Sequence, residues 1–280
     1  MAFLFNKLPS QVSAYIQSLF RKFGFNLAKN SRALGLTPAA DFEKFMQIMF
    51  PMDNGHRLIR VGPNGDGGYV IPDDLVGISY CFSPGSDLLW EFEREIGERY
   101  QITSYICDSL IKKPNDLSEM QVFKDAWLGP STGGNFISFA DWIHESIDVS
   151  RGEDLLLQID IEGAEYLALL ALPDDMLLKF RVIIMEGHSL DALMNRFSFE
   201  EFLAPVFRRL ARDYDLVYLH GNNCCGLWNY RGFTYPRIAE FTWHRKDRRF
   251  KTPTVTQVKT VLDYPNIASV DEIRFERPKS

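Results

Sequence analysis

Three carboxylates crowd the end of one apolar run in this chain. Leu155, Leu156, Leu157, Gln158 and Ile159 give way to Asp160, with Glu162 and Glu165 close behind. Two later runs end in the same manner. Val182 to Met185 leads into Glu186, Gly187 and His188, and Leu216 to Leu219 leads into His220, Gly221, Asn222 and Asn223. Unbroken apolar runs are the mark of strands buried on both faces of a parallel sheet, and open α/β sheets bind ligands just past the carboxyl ends of their strands. A lone Glu or His there is ordinarily a solvated loop residue; three such ends in succession point to a shared site. An imidazole titrating near neutrality can take a proton as general base. Carboxylates mixed with imidazoles form a ligand set suited to Mn, Fe or Mg more than to a thiolate-bound metal. On this reading Asp160, Glu162, His188 and His220 are candidate catalytic residues. Asp160, Glu186, His188, His220 and Glu240 are a candidate set of ligands for a divalent metal.

The pattern around these residues supplies the elements that would position them. Apolar runs predict strands at 78–83, 102–107, 120–124, 155–160, 181–186, 216–220 and 238–245. Helical spacing falls between them at 88–100, 139–147, 164–170 and 197–214. Alternating strands and helices predict an α/β fold: a seven-stranded, mostly parallel sheet with helices on both faces. Upstream, the turn signals Pro63-Asn64-Gly65 and Asp66-Gly67-Gly68 between two short apolar runs predict a hairpin or tight loop. A short helix is expected from Asp41 to Pro51. The long aromatic loop from Asn222 to Pro236 suits an acceptor-binding lid with Trp228 as its stacking side chain, or a folded structural excursion. The expected domains are an N-terminal helical extension at 1–50, a main domain at 51–250 and a C-terminal extension at 251–280.

Charge narrows the partners. The 280 residues carry a net −6, yet residues 1–40 hold five basic side chains and no acid, leaving the rest at −11. An acidic body argues against nucleic-acid binding. Val12, Tyr15, Ile16, Leu19, Phe20 and Phe23 lie at helical spacing behind Ser10 as N-cap. This basic amphipathic segment suits peripheral membrane contact, packing on its own domain, or a homodimer through residues 1–40. No apolar run approaches the ~18 to 20 residues of a membrane span. The four cysteines, Cys81, Cys107, Cys224 and Cys225, lack metal-site spacing. A cytoplasmic location, with or without a peripheral membrane contact, is the expectation.

A nucleotide-like cofactor in such a sheet needs a close-approach turn after the first strand and an acid after the second. Ser83-Pro84-Gly85-Ser86 follows the first and Asp108 the second. The run Ile159 to Glu165, with its preceding strand, resembles the signature of the FkbM family of S-adenosylmethionine-dependent methyltransferases. The blocks RVGPNGDGGYVIPDDL, MEGH, LHGNN and AEFTWHRKDR are similar to a subgroup of it. The resemblance covers roughly residues 58–249. It implies a class I, Rossmann-like fold of strand order 3-2-1-4-5-7-6 with the last strand antiparallel, and O-methylation of a sugar or glycosylated small molecule. It places Gly85, with Ser83 in the same loop, against the methionine part of the cofactor, Asp108 at the ribose and Asp125 near the adenine. Asp160 and Glu162 would face the sulfonium and the acceptor, and Asp66, Gly67 and Gly68 would close over the amino-acid end. Hydroxyl activation would come from a histidine base or from Mg or Mn. The rival readings are an NAD-type oxidoreductase, disfavoured by the missing G-x-G-x-x-G, and a non-catalytic methyltransferase-like binding module, disfavoured by the retained acids at the strand ends.

Overall fold

A computed structural model describes residues 35–86, 89–256, 260–273 and 275. The amphipathic segment expected near the N-terminus lies outside them. The described residues from Leu36 onward form one compact unit. Helix α1 (Ala39–Met46), within the extension expected at 1–50, buries Phe42, Phe45 and Met46 in the main core.

The central sheet has seven strands: β1 (Ile78–Pro84), β2 (Thr103–Cys107), β3 (Gln121–Lys124), β4 (Asp154–Ile159), β5 (Phe180–Gly187), β6 (Tyr214–Gly221) and β7 (Ala239–Arg245). Their order is β3-β2-β1-β4-β5-β7-β6, the 3-2-1-4-5-7-6 order. Adjacent strands are parallel except at β7, which runs antiparallel to both neighbours. The connecting helices are α2 (Glu91–Tyr100), α3 (Phe139–Ser146), α4 (Glu165–Ala171) and α5 (Ala204–Asp213). Sequence spacing reads as one helix over 197–214, but Phe199–Leu203 is π-helical. Pro205, in the first turn of α5, has no N–H to continue an α ladder.

Side-chain alternation divides the core in two. Phe82, Leu155, Leu157, Ile159, Ile183 and Met185 meet α1, α3, α4 and α5 on one face, where Trp142, Leu169 and Phe207 are buried. Cys81, Leu156, Val182 and Ile184 meet α2 on the other. That second face is also covered by the hairpin of Leu58–Val61 and Tyr69–Pro72. Each fully buried Leu, Ile or Phe contributes roughly 1.5–3 kcal/mol. Toward the carboxyl ends of the strands the same alternation replaces apolar with polar groups: Ser83 follows Cys81, Gln158 follows Leu156, and Glu186 follows Ile184. Among the described residues no helix is long and apolar enough to cross a membrane.

Candidate functional site

The chain leaves β4 at Asp160 and turns sharply into α4. Glu162 (φ 56°) and Gly163 (φ 97°) are both left-handed, and Ser189, just past His188, is too (φ 54°). For non-glycine residues this conformation costs roughly 1–2 kcal/mol, and such strain gathers at ligand sites. The turn throws Glu165 back into the interior, where it is fully buried. Its Oε2 accepts from the Gly163 amide at 2.8 Å. Its Oε1 accepts from the His188 amide at 3.0 Å and faces His188 Nδ1 at 3.3 Å. Tyr166 donates to the His188 carbonyl at 2.7 Å. With Nδ1 committed, Nε2 points at three acids: Glu186 at 3.3 Å, Glu162 at 3.6 Å and Asp160 at 3.8 Å. One ligand atom from each of Asp160, Glu186 and His188 lies within 4.8 Å of the others.

Electrostatics follow from that crowding. Burial and the charge of Glu186 push the Asp160 carboxyl well above its usual range, and burial also raises Glu186. The charge of Glu186 thus favours the protonated form of Asp160. Burial alone would lower His188, but Glu165, Glu186 and Asp160 outweigh it and hold the imidazole charged well above neutrality. His188 is therefore biased toward the cationic form within the cluster, which disfavours the expected role of general base.

The same grounds disfavour His220 as a base. Strand register aligns Glu186, Glu240 and His220 in one row across β5, β7 and β6. His220 Nδ1 lies 3.6 Å from Glu240, and Nε2 lies 2.6 Å from Glu272. Against the lowering effect of burial, these acids raise it to about 10. Glu240 also accepts from Asn266 at 2.7 Å, and Asn266 reaches Asp66 at 3.4 Å. His220 and Glu240 thus belong to a clasp for residues 260–273, beside the Asp160–Glu186–His188 group and separate from it.

The residues assigned to the cofactor divide. Gly85 (φ 82°) has to be glycine because a Cβ would stand 1.6 Å from the Asp160 carbonyl oxygen, so β1 and β4 are in backbone contact here. Ser83 is corrected to a structural role, its hydroxyl being fully buried between Glu93 and Gln158. Asp108 is 5 % exposed, and its Oδ1 accepts from the Leu110 amide at 2.7 Å. Asp125 is exposed and accepts from Ser109 at 2.7 Å. The glycines of the Asp66 loop answer to the hairpin itself, since a Cβ on Gly68 would meet the Pro63 oxygen at 1.9 Å and one on Gly67 the Leu89 side chain at 3.2 Å. Ser86 Oγ, just past β1, is buried with no hydrogen-bond partner among the described residues. An orphaned hydroxyl beside the Gly85 turn fits a ligand at this strand edge.

The Asn222–Pro236 loop is the structural excursion, a two-stranded hairpin of Leu227–Tyr230 and Phe233–Pro236. Trp228 is buried, packed edge-on against Phe42 at 6.0 Å and bonded to the Pro236 carbonyl, which leaves no face for a ligand to stack on. Glu165 is a member of this cluster that sequence reasoning did not include among the candidate site residues. The signal for Glu165 was a third acid on a turn too tight to let it reach solvent. No protein-family model, curated protein or solved structure matches the chain.

Proposed function

We propose that this chain is an S-adenosylmethionine-dependent O-methyltransferase acting on a hydroxyl of a sugar or glycosylated small molecule. The observation that carries the reading is the Asp160–Glu186–His188 group at the ends of β4 and β5, in a sheet ordered 3-2-1-4-5-7-6 with its seventh strand antiparallel. That is the strand order the FkbM resemblance implies for a class I methyltransferase. Among the described residues none of these acids is ion-paired with Arg or Lys, and an acid-rich cluster of that kind suits a cationic ligand.

S-adenosylmethionine, when bound, supplies an electrophilic methyl group on a cationic sulfur. Asp108 would hold ribose hydroxyls, and Ser86 would meet the cofactor beside Gly85. The protein has to align the acceptor oxygen and remove its proton. With both histidines biased toward the charged form, the proton acceptor is the Asp160–Glu186 pair, whose raised proton affinity makes its ionised member a stronger base than a solvated carboxylate. Asp160, Glu186 and His188 also fit a hard divalent cation once His188 releases its proton. Glu165 on Nδ1 leaves Nε2 as the ligand atom, the carboxylate–histidine–metal arrangement. Bound there, Mg or Mn would lower the pKa of the acceptor hydroxyl.

Calorimetry with S-adenosylmethionine and S-adenosylhomocysteine tests this, first in EDTA and then with Mn or Mg. Micromolar binding is expected for wild type. Asp108→Asn, which keeps an acceptor for the Leu110 amide, should weaken it about tenfold or more. No binding in any condition would overturn the assignment.

A further inference from the structure

Behind the acidic cluster a line of buried polar side chains runs through the otherwise apolar face beneath α2. Glu93 Oε1 is hydrogen-bonded to Ser83 Oγ, Ser83 Oγ lies 2.6 Å from Gln158 Oε1, and Gln158 Nε2 donates to Tyr69 Oη at 2.8 Å. Among the described residues Glu93 has no cationic partner, and its Oε2 is buried without a hydrogen-bond partner. From these contacts we infer that Tyr69 is a ligand-binding residue whose hydroxyl donates a hydrogen bond to a neutral oxygen held at the Asp160–Glu186 cluster.

The direction of the donors carries the argument. Ser83 has one proton and faces two oxygens, neither of which donates if Glu93 is ionised. A protonated Glu93 resolves the conflict, donating to Ser83 while Ser83 donates to Gln158. Burial supports that state, pushing Glu93 up to about 7, and a buried carbonyl oxygen without a partner costs less than a charged one. The amide is then fixed with Nε2 toward Tyr69. The reverse arrangement, with Gln158 turned over and Tyr69 donating to it, leaves Glu93 either ionised beside Phe92 and Cys81 with no cation at hand among the described residues, or protonated on Oε2, where the proton meets no acceptor. An amide in the middle of the line also makes a poor proton conductor. The line therefore orients Tyr69 and carries no proton.

Tyr69 is 8 % exposed, and its ring packs edge-on against Phe92 at 5.2 Å. Its oxygen is occupied by Gln158, and among the described residues nothing accepts its proton. The charges of Asp160, Glu240 and Glu186 act on it. An anionic ligand group would be repelled by those acids, whereas a hydroxyl or ether oxygen would not. The inference thus deepens the proposed function by naming a neutral polyol as the acceptor and excluding a uronate, and it rests on that reading for the reaction alone.

The test uses the full chain labelled with 3-fluorotyrosine, the Tyr69 line being the fluorine resonance missing from Tyr69→Phe. A saturable shift of that line is expected with methyl β-D-glucopyranoside, and none with the matching glucuronide. By saturation-transfer NMR the glycoside should bind Tyr69→Phe and Gln158→Leu five- to tenfold more weakly. Glu93→Leu, which removes the donor to Ser83, should weaken binding in the same direction. A line unmoved by the neutral glycoside, a line moved equally by the glucuronide, or unchanged affinity in Tyr69→Phe would each overturn the role of Tyr69. S-adenosylhomocysteine calorimetry on the same samples reads the methyltransferase assignment separately. Binding there with a silent Tyr69 line removes only the present inference; a responsive line without it removes only the assignment.

Discussion

Asp160 and Asp74 stand at opposite ends of the same sheet, each beside a histidine, and each belongs to a triad close enough to hold a metal. Their surroundings differ in the sign of what answers them. Asp74 accepts two hydrogen bonds from Arg248, at 2.8 Å each, and lies 3.4 Å from Arg181 and 3.1 Å from His244. Its neighbours are answered likewise: Asp154 by Arg181 and Arg245, and Asp215 by Arg249. Although burial works against it, Arg248, His244 and Arg181 hold the Asp74 carboxyl well below its usual range. Burial keeps His244 low as well. At the other end Asp160, Glu162, Glu165 and Glu186 share one imidazole. A cluster whose charges are matched is finished when the chain folds; one left with excess charge is completed by a ligand. That difference assigns the His56–Asp74–His244 triad to structure and the Asp160–Glu186–His188 triad to function.

The same exchange at the two ends should separate activity from stability. Asp160→Asn is expected to lower methyl transfer by about 10² to 10³-fold, read as S-adenosylhomocysteine release, while urea denaturation shows stability unchanged or raised through relief of like-charge repulsion. A loss of stability as large as that in Asp74→Asn would erase the distinction. Asp74→Asn should cost about 2 kcal/mol in folding, because it takes from Arg248 the carboxylate it is bonded to and leaves Arg181 with Asp154 alone, and leave cofactor binding intact. The depressed carboxyl contributes stability above the ordinary carboxylate range and loses it as pH falls below, so wild type and variant should converge in acid.

Glu93→Gln probes the border between the two regimes. Because burial raises this carboxyl to about 7, the unfolded chain gives up its proton at lower pH than the folded one. Wild-type stability should therefore fall as pH climbs from about 4.3 toward 7, by on the order of 3 kcal/mol. The variant should lack that slope, and denaturation midpoints measured at pH 5 and pH 7 decide it. The smallest effect is expected from Asn266→Ala, about 1 kcal/mol, with faster hydrogen exchange confined to the 260–273 clasp. Exchange that spreads into β6 and β7 would make the clasp part of the core.

Much of the architecture was legible along the chain. Seven apolar runs became the seven strands of the sheet, each ending within two residues of its expected limit. The acids and histidines at 160, 162, 186 and 188 were visible because a charged residue ending a buried run can only lie at a sheet edge. The hairpin was legible in its glycine turn signals, and the glycine at 68 is required by its approach to Pro63. Glu93, Ser83 and Tyr69 were not legible as a line, because each sits singly in a pattern that reads as helix, strand or hairpin. The protonation of His188 and His220 was equally out of reach, since it depends on how many carboxylates face each ring.

The sequence by itself determined the sheet, its hydrophobic faces and the edge at which polar groups emerge, because alternation and run length act over a few neighbouring residues. Only the tertiary structure decided which acids were matched by arginine and which by nothing, and which histidines could still accept a proton. Charge pairing depends on distances of a few ångströms between residues far apart in the chain, such as Asp74 and Arg248, or Glu165 and His188.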